Sequence, residues 1–272
     1  MSRSALQLLT RPAFSLALAT LMAAFAASRA WALDDGIDTM RVMSIGGSCP
    51  NCQLSGRKLP QARFIGANLS GATLVAADLH DASFFGSNFV GADLQKADLR
   101  GASLFGSDFM NADFTDANLS GVQGHGANLM GATLVRANFE SAALIGAAFP
   151  RANARDANFS AANLFGANLT QGHFEHASFR SASLVGATLT GASFVGADFT
   201  GALLAHANLI GADLTGAKGL TQEQVDLACT SSTTRLPTGL TGRGCKGDSH
   251  VIILRTSPLH GAAPKYVVEM AP

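Results

Sequence analysis

Two cysteines separated by two residues, Cys49-Pro50-Asn51-Cys52, have the spacing of thiol–disulfide redox motifs, in which a lowered thiol pKa makes one sulfur a nucleophile. That chemistry needs the pair at a helix N-terminus following a strand, and no such pattern surrounds these residues. A structural disulfide or a pair of buried thiols is therefore the favoured reading, with an envelope oxidoreductase as the alternative. Structural zinc would need two more ligands, and Cys229 and Cys245 lie at the opposite end of the chain. In an oxidising compartment four cysteines suggest two disulfides, for which three pairings exist; Cys49–Cys52 with Cys229–Cys245 is the simplest. The second would close a loop of about 15 residues and contribute about 3 kcal/mol by restricting the unfolded chain.

His173 and His176 flank Phe174 and Glu175 and could approach one metal ion across a bend. Two histidines and a carboxylate on a polar surface are more often simply solvated. The chain shows no Ser/His/Asp constellation, no phosphate loop and no paired carboxylates in a cleft. No catalytic residue, cofactor site or metal site is assigned, and the chain reads as a non-enzyme.

The 272 residues balance 19 basic against 19 acidic side chains, leaving no footprint for nucleic acid or for an anionic membrane surface. Residues 1–32 read as a secretory signal. Arg3 and Arg11 form a positive leader, residues 13–27 an apolar run, and Ala30-Trp31-Ala32 a cleavage pattern that places the mature start at Leu33. The apolar run falls short of the ~20 residues a spanning helix needs, so no membrane span is expected after cleavage. The expected location is periplasmic or secreted.

Abundant glycine, 29 residues, beside a single Trp and a single Tyr points to a repeat. From Cys52 onward ANLSG, ATLVA, ADLHD, ASFFG, SNFVG, ADLQK and ADLRG keep one five-residue beat. With the third residue as centre, 33 repeats run from Leu54 to Leu214, and 31 centres are Leu or Phe; Gly124 and Ala154 are the exceptions. Two residues earlier Ala fills 27 of 33 positions, the others being Cys52, Arg57, Ser87, Ser107, Val122 and Gly172. A period of five fits neither an α-helix nor an extended strand and suits a short straight segment followed by a bend. The large centre fills an interior, and Ala faces inward where little room remains. Asn, Asp, Ser or Thr before the centre can bond turn backbone. Gly closes 18 of 33 repeats, as expected where corners approach closely or need φ > 0; Lys96, Asn111, Arg136 and Arg151 in the same slot suggest that the need is not universal. Val122 is expected to fill the volume missing at Gly124, and Phe174, beside Gly172, to lean over Ala154.

These repeats resemble the A(D/N)LXX motif of the pentapeptide repeat family, over some three-fifths of the chain. The resemblance implies an all-β solenoid, a right-handed quadrilateral β-helix with four pentapeptides per coil and about eight coils. Stacked at strand spacing, these would make a rod near 40 Å long. The expected organisation is a signal at 1–32, an N-terminal segment without clear pattern at 33–51, the β-helix at 52–217, and a capping helix with tail at 218–272. Arg57, Lys58 and Arg63 make the first coil irregular.

A solenoid exposes core and unpaired edges at its ends, so caps are expected. Thr221 with Gln224 forms a capping box, Leu220 with Val225 a hydrophobic staple, and a short helix is expected from about residue 222 to 229. Residues 236–239 read as a turn, and 251–254 and 266–270 as candidate short strands.

The residue after each centre faces outward. Sorted four to a coil, one side reads Ile65, Phe85, Phe105, His125, Ile145, Phe165, Val185, Ala205; the side before it reads Pro60, His80, Arg100, Ser120, Glu140, Ser160, Arg180, Thr200. Sorting three to a coil also yields a mainly apolar class, so the four-sided assignment rests on the resemblance. An apolar ridge beside a polar one suggests an interaction surface, unless tail segments cover it or it packs on neighbouring coils. The leading functional reading is an exported binding or scaffold protein of the cell envelope, meeting a protein partner or another copy of itself. The DNA-mimicking topoisomerase protector known in the family is disfavoured by the export signal and the neutral charge, with Arg100, Arg136, Arg151, Arg155 and Arg180 interrupting the acidic residues.

Overall fold

The computed structural model describes residues 47–245, together with the backbone of β1 (Met43–Ile45), β3 (Leu254–Arg255) and β4 (Val267–Val268). The signal read at residues 1–32 and the mature start at Leu33 lie outside the described residues.

A five-residue unit is too short to pair as an ordinary strand, but it can form one bridge to the unit stacked on it. Asn68 bridges Asn88 in parallel, and the same column continues through Asp108, Asn128, Ala148, Asn168, Thr188 and Asn208. Every bridge from Ser48 to Lys218 joins residues 20 apart, so the chain returns over itself every four repeats, not every three. Each centre donates its N–H to the next coil, as Leu74 does to Asp93 O at 2.6 Å. The residue before it donates the other way, as Asp93 does to Ala72 O at 2.9 Å. Four faces result, headed by the centres Leu54, Leu59, Phe64 and Leu69, and called here the first to the fourth face.

Alternation within each repeat buries the Ala slot and the centre; every centre from Phe64 to Leu214 is buried. On the second face Phe139, Phe159, Phe179 and Phe199 stack nearly parallel with ring centroids 4.9, 5.2 and 5.2 Å apart. Rings one coil apart thus meet face to face, adding to the ~1.5–3 kcal/mol that burying each such side chain contributes. Ser87 and Ser107, in the Ala slot, are buried yet satisfied: their hydroxyls donate to Phe64 O and Phe84 O. Before the centres, Asn and Asp accept the N–H two residues on, as Asn88 does from Val90 at 2.9 Å.

The corners correct one expectation. Each centre's carbonyl accepts the N–H three residues on, as in Ala72 to Leu69 at 3.0 Å, closing a turn whose third residue has positive φ. That residue lies in the left-handed region in all 33 repeats, Lys96, Asn111, Arg136 and Arg151 included, with φ of 56–57° at these four. The need for φ > 0 is universal, and non-glycine residues meet it under strain.

One of the irregular repeats, at Gly124, also differs from expectation. Val122 is buried, but the space a Cβ on Gly124 would occupy holds Leu144 Cδ2, reaching down from the next coil. Phe174 stands over the coil of Ala154, since Asn153 bridges His173, and its ring meets Phe159 of that lower coil at 6.0 Å. Gly172 is required because a Cβ there would collide with the Phe174 ring.

At the C-terminal end α1 (Gln222–Leu227) is two residues shorter than expected, because Cys229 already bridges Asn208. The helix takes the place of one repeat above the third face. Leu227 O accepts from His206 N, and bridge spacing grows from 20 to 21 at Asn208–Cys229 and 22 at Asp213–Arg235. Thr221 caps the helix with the full capping box. The Gln224 amide that accepts from Thr221 N also donates to Ala202 O at 2.7 Å, so one side chain caps the helix and ties it to the stack. Val225 is buried and Leu220 packs on the core, closing its end. In the tail, β3 pairs antiparallel with β4, so pairing includes Leu254 of the first candidate strand, continues to Arg255 just beyond it, and includes Val267 and Val268 of the second.

The other end also begins earlier than the sequence suggests. β1 pairs in parallel with β2 (Arg63–Ile65), Met43 opposite Arg63, and Ser48 bridges Asn68. The five-residue phase therefore extends two repeats into the segment read as patternless.

Two substitutions test this account by urea denaturation. Ala161→Gly relieves a left-handed alanine, φ 57°, at a cost of ~1–2 kcal/mol in the native state against ~0.4–1 kcal/mol of unfolded-chain entropy. It should stabilise by about 0.5–1 kcal/mol. Gly172→Ala should destabilise by about 1–3 kcal/mol through overpacking against Phe174.

Candidate interaction surface

Along the third face, side chains that follow the centres project outward in one column. Phe85 is 58% exposed and Ile145 37%, whereas Ile65, Phe105 and Phe165 are half-buried. Val185 is a correction: it is 4% exposed, and a side chain already buried offers a partner no surface. Phe105 stacks on His125 with centroids 4.8 Å apart, so His125 continues the ridge rather than breaking it. The register Ile45–Ile65 adds one further coil at the N-terminal end.

Three features of this surface were missed in the sequence. The outward column of the fourth face carries Val90, Met110, Met130 and Pro150 at the same height as Phe85 to Ile145, so the apolar surface turns the corner; Met130 is 37% exposed. The same sorting applied to the fourth face would have found it. Leu203 and Leu227 are exposed at the C-terminal end of the third face, a patch that appears only once the helix is placed. The corner between these faces is Gly in seven consecutive coils, Gly66, Gly86, Gly106, Gly126, Gly146, Gly166 and Gly186, and a Cβ at any of them would meet nothing within 4 Å. Positive φ alone does not demand this, because the other corners mix Gly with Asp, Arg, Lys, His, Ser and Ala.

Much of the remaining surface is polar, and several of its charges are paired. Arg100 binds both oxygens of Asp98, closest at 2.6 Å, and holds that carboxyl below its ordinary pKa. Arg136 does the same to Asp116 in the coil below. Arg180 pairs with Asp198 at 2.9 Å and Arg155 with Glu175 at 3.2 Å, while Arg151 bonds Gln171.

His173 and His176 do not converge. His173 Nδ1 lies 3.2 Å from Glu175 Oε1, whereas His176 packs against Gly196 of the next coil. Among the described residues Asp78, His80 and Asp98 do bring three ligand atoms within 4.8 Å of one another. Their charges are spent on each other and on Arg100, since His80 Nδ1 sits 2.5 Å from Asp78 Oδ1.

Both cysteine pairs are disulfides, Cys49–Cys52 and Cys229–Cys245. In the five-residue phase Cys49 takes a centre slot and Cys52 the Ala slot of the next repeat, so the disulfide ties two successive repeats at the exposed start of the ladder. Cys49 N donates to Asn68 O within the ladder, with no helix behind it to activate a thiolate.

The hydrogen bond to Asp78 raises the pKa of His80. Its protonated form is favoured in the folded chain, so its contribution to stability is present below the unfolded value of ~6.5 and is lost as pH rises through the higher folded value. An NMR titration should place His80 above ~6.5, and Asp78→Asn should lower it by removing the hydrogen bond that raises it.

A search of curated proteins finds no significant match. Similar solved structures include a trypsin-treated variant of QnrB1, a plasmid-mediated fluoroquinolone resistance protein (23% identity, 68% of this chain and 93% of that chain, TM-score 0.48). HetL, involved in heterocyst differentiation regulation in the cyanobacterium Nostoc sp. strain PCC 7120, is 28% identical over 68% of this chain and 92% of its own, with TM-score 0.32. A protein of the Arabidopsis thaliana thylakoid lumen is 32% identical over 41% of this chain and 70% of its own, with TM-score 0.28. The family model described as pentapeptide repeats matches in eight copies that run from residue 49 to residue 218. With more than half its length matched in unbroken phase, the chain belongs to the pentapeptide repeat family.

Proposed function

We propose that this is an exported, non-catalytic pentapeptide-repeat protein that binds a protein partner, or a second copy of itself, in the cell envelope. Its body is a right-handed, four-sided rod of about eight coils. The observation that carries the reading is the outward column of the third face, where Phe85 stands 58% exposed above a core that is already filled. Aromatic surface left in water along several coils is costly unless something covers it. The leader at residues 1–32 supports export, and two disulfides suit an oxidising compartment. A DNA-mimicking role is less well supported, because Arg100, Arg136, Arg155 and Arg180 each neutralise a carboxylate beside them where a mimic needs unpaired negative charge.

The test is the solution mass of the chain from Leu33 onward beside a Phe85→Glu/Phe105→Glu variant, with both used as bait for envelope proteins. A dimer, or a captured partner, that the variant loses supports the third face. Binding that survives the variant unchanged moves the function to another surface.

A further inference from the structure

The geometry points to a second copy of this chain as the occupant of the third face: two rods lie side by side and antiparallel, each third face against the other. This rests on the third face being the binding surface and names its partner.

Charge is the first ground. Seven repeats of the third face, one per coil from residue 82 to 206, read ASFFG, ASLFG, VQGHG, AALIG, ANLFG, ASLVG and ALLAH, without one Asp, Glu, Lys or Arg. Every other face carries formal charge over the same coils, such as Arg155 and Glu175 on the first, Arg100 and Asp198 on the second, and Asp108 and Arg151 on the fourth. A two-fold contact sets a patch against the same patch of the partner, so each charge on it must find a match or be buried unpaired. The third face has none to match.

The backbone is the second. At each corner the centre's carbonyl is held inside the turn, so across the planar trans peptide the N–H of the following residue points outward. On the second and fourth faces an Asn or Asp before the centre accepts that N–H in most coils, as Asn118 does from Ser120 and Asn88 from Val90. On the third face Ser83, Ser103, Gln123, Ala143, Ser183 and Leu203 hold that slot instead. The N–H groups of Phe85, Phe105, His125, Ile145, Val185 and Ala205 have no acceptor among the described residues, and only Phe165 is capped, by Asn163. The first face lacks this cap at Val75, Val135 and Val195, but there Arg155 and Glu175 bring charge.

Beside these donors the carbonyls of the corner glycines, Gly86 to Gly186, also lie outside the ladder. Donors and acceptors in adjoining columns make the face complementary to its own copy, and no Cβ at the glycines holds the copies apart. The groups recur once per coil, about 4.8 Å apart. An extended strand along the rod repeats every ~6.8 Å and an α-helical turn every ~5.4 Å, so both fall out of step within a few coils. A second stack of the same period stays in step.

Orientation follows from relief. The outward column is bulky at Phe85 and Phe105 and low at its other end, where Val185 is buried and Ala205 is small. Antiparallel packing sets Phe85 over the level stretch at the partner's Val185, Phe105 opposite the partner's Phe165, and His125 opposite the partner's Ile145. Parallel packing sets Phe85 against itself and leaves Val185 and Ala205 across a gap.

Hydrogen–deuterium exchange of the chain from Leu33 to Pro272, read by NMR over a dilution series with solution mass taken at each step, tests the pairing. The amides of Phe85, Phe105 and Ile145 should exchange at least tenfold more slowly in the dimer than in the monomer, and those of Val75 and Val135 at one rate in both. With the native disulfides intact, His125→Cys, beside the two-fold axis, should cross-link to its copy through a short bismaleimide. Ala205→Cys, seven coil steps or about 34 Å from its copy, should not. A chain that stays monomeric at millimolar concentration, a dimer whose third-face amides are not slowed, or cross-linking at both sites or neither overturns the proposal. Slow exchange in the monomer also overturns it, because the chain's own residues then cover the face. A monomer whose capture of an envelope protein still needs Phe85 removes the second copy and keeps the third face, so the two readings can fail separately.

Discussion

Everything in this chain follows from one constraint: a backbone that must bond to itself 20 residues later. A five-residue unit gives the coil above and the coil below only a few bonds each, so no single repeat is stable alone. Stability is a property of the column. The same constraint forces the turn at each corner into positive φ, and it does so whether or not the residue there is glycine. The strained corners at Lys96, Arg136 and Arg151 are tolerated because ladder bonds on both sides leave the backbone no alternative path.

The family and the inward pair of each repeat were legible in the sequence, because each depends on a residue type recurring at fixed spacing; four repeats per coil came only from the family resemblance, since three to a coil sorted the outward residues almost as well. Ala72 with Leu74, and Phe84 after Ala82, declare their burial by position alone. The Thr221 and Gln224 capping box was equally readable, since it is a local pattern. What the sequence hid were interactions between residues brought together by stacking. Leu144 filling the space at Gly124 requires knowing that the two share a column and that the upper side chain points down. The early end of α1 at Leu227 depends on Cys229 joining a ladder whose register the helix itself shifts. The left-handed state of Arg151 has no signature in a sequence where glycine is only common at that slot.

At the candidate surface the balance differs. The third-face column could be sorted from the sequence once four repeats per coil were assumed, and Phe85 and Ile145 do stand exposed. Burial of Val185 could not, because exposure depends on how neighbouring side chains lie, not on which way a residue faces. The glycine corner was present in the letters yet went unread, since glycine at a turn already has an explanation. Only after sixteen other residues are seen to adopt the same φ at repeat ends does its uniformity on one corner stand out.

The outward columns divide the surface into two chemistries. On the first and second faces, carboxylates and guanidinium groups close on each other between and within coils, as Arg136 does on Asp116 and Arg100 on Asp98. Such pairs contribute little to stability individually in water, but they neutralise several of the charges those faces carry. Aromatic rings, thioethers and bare glycine backbone lie together on the third face and its corner with the fourth. A stack that repeats the same bond pattern on four faces can distinguish them only through the residues projecting outward, so the asymmetry of those columns is where function must be encoded.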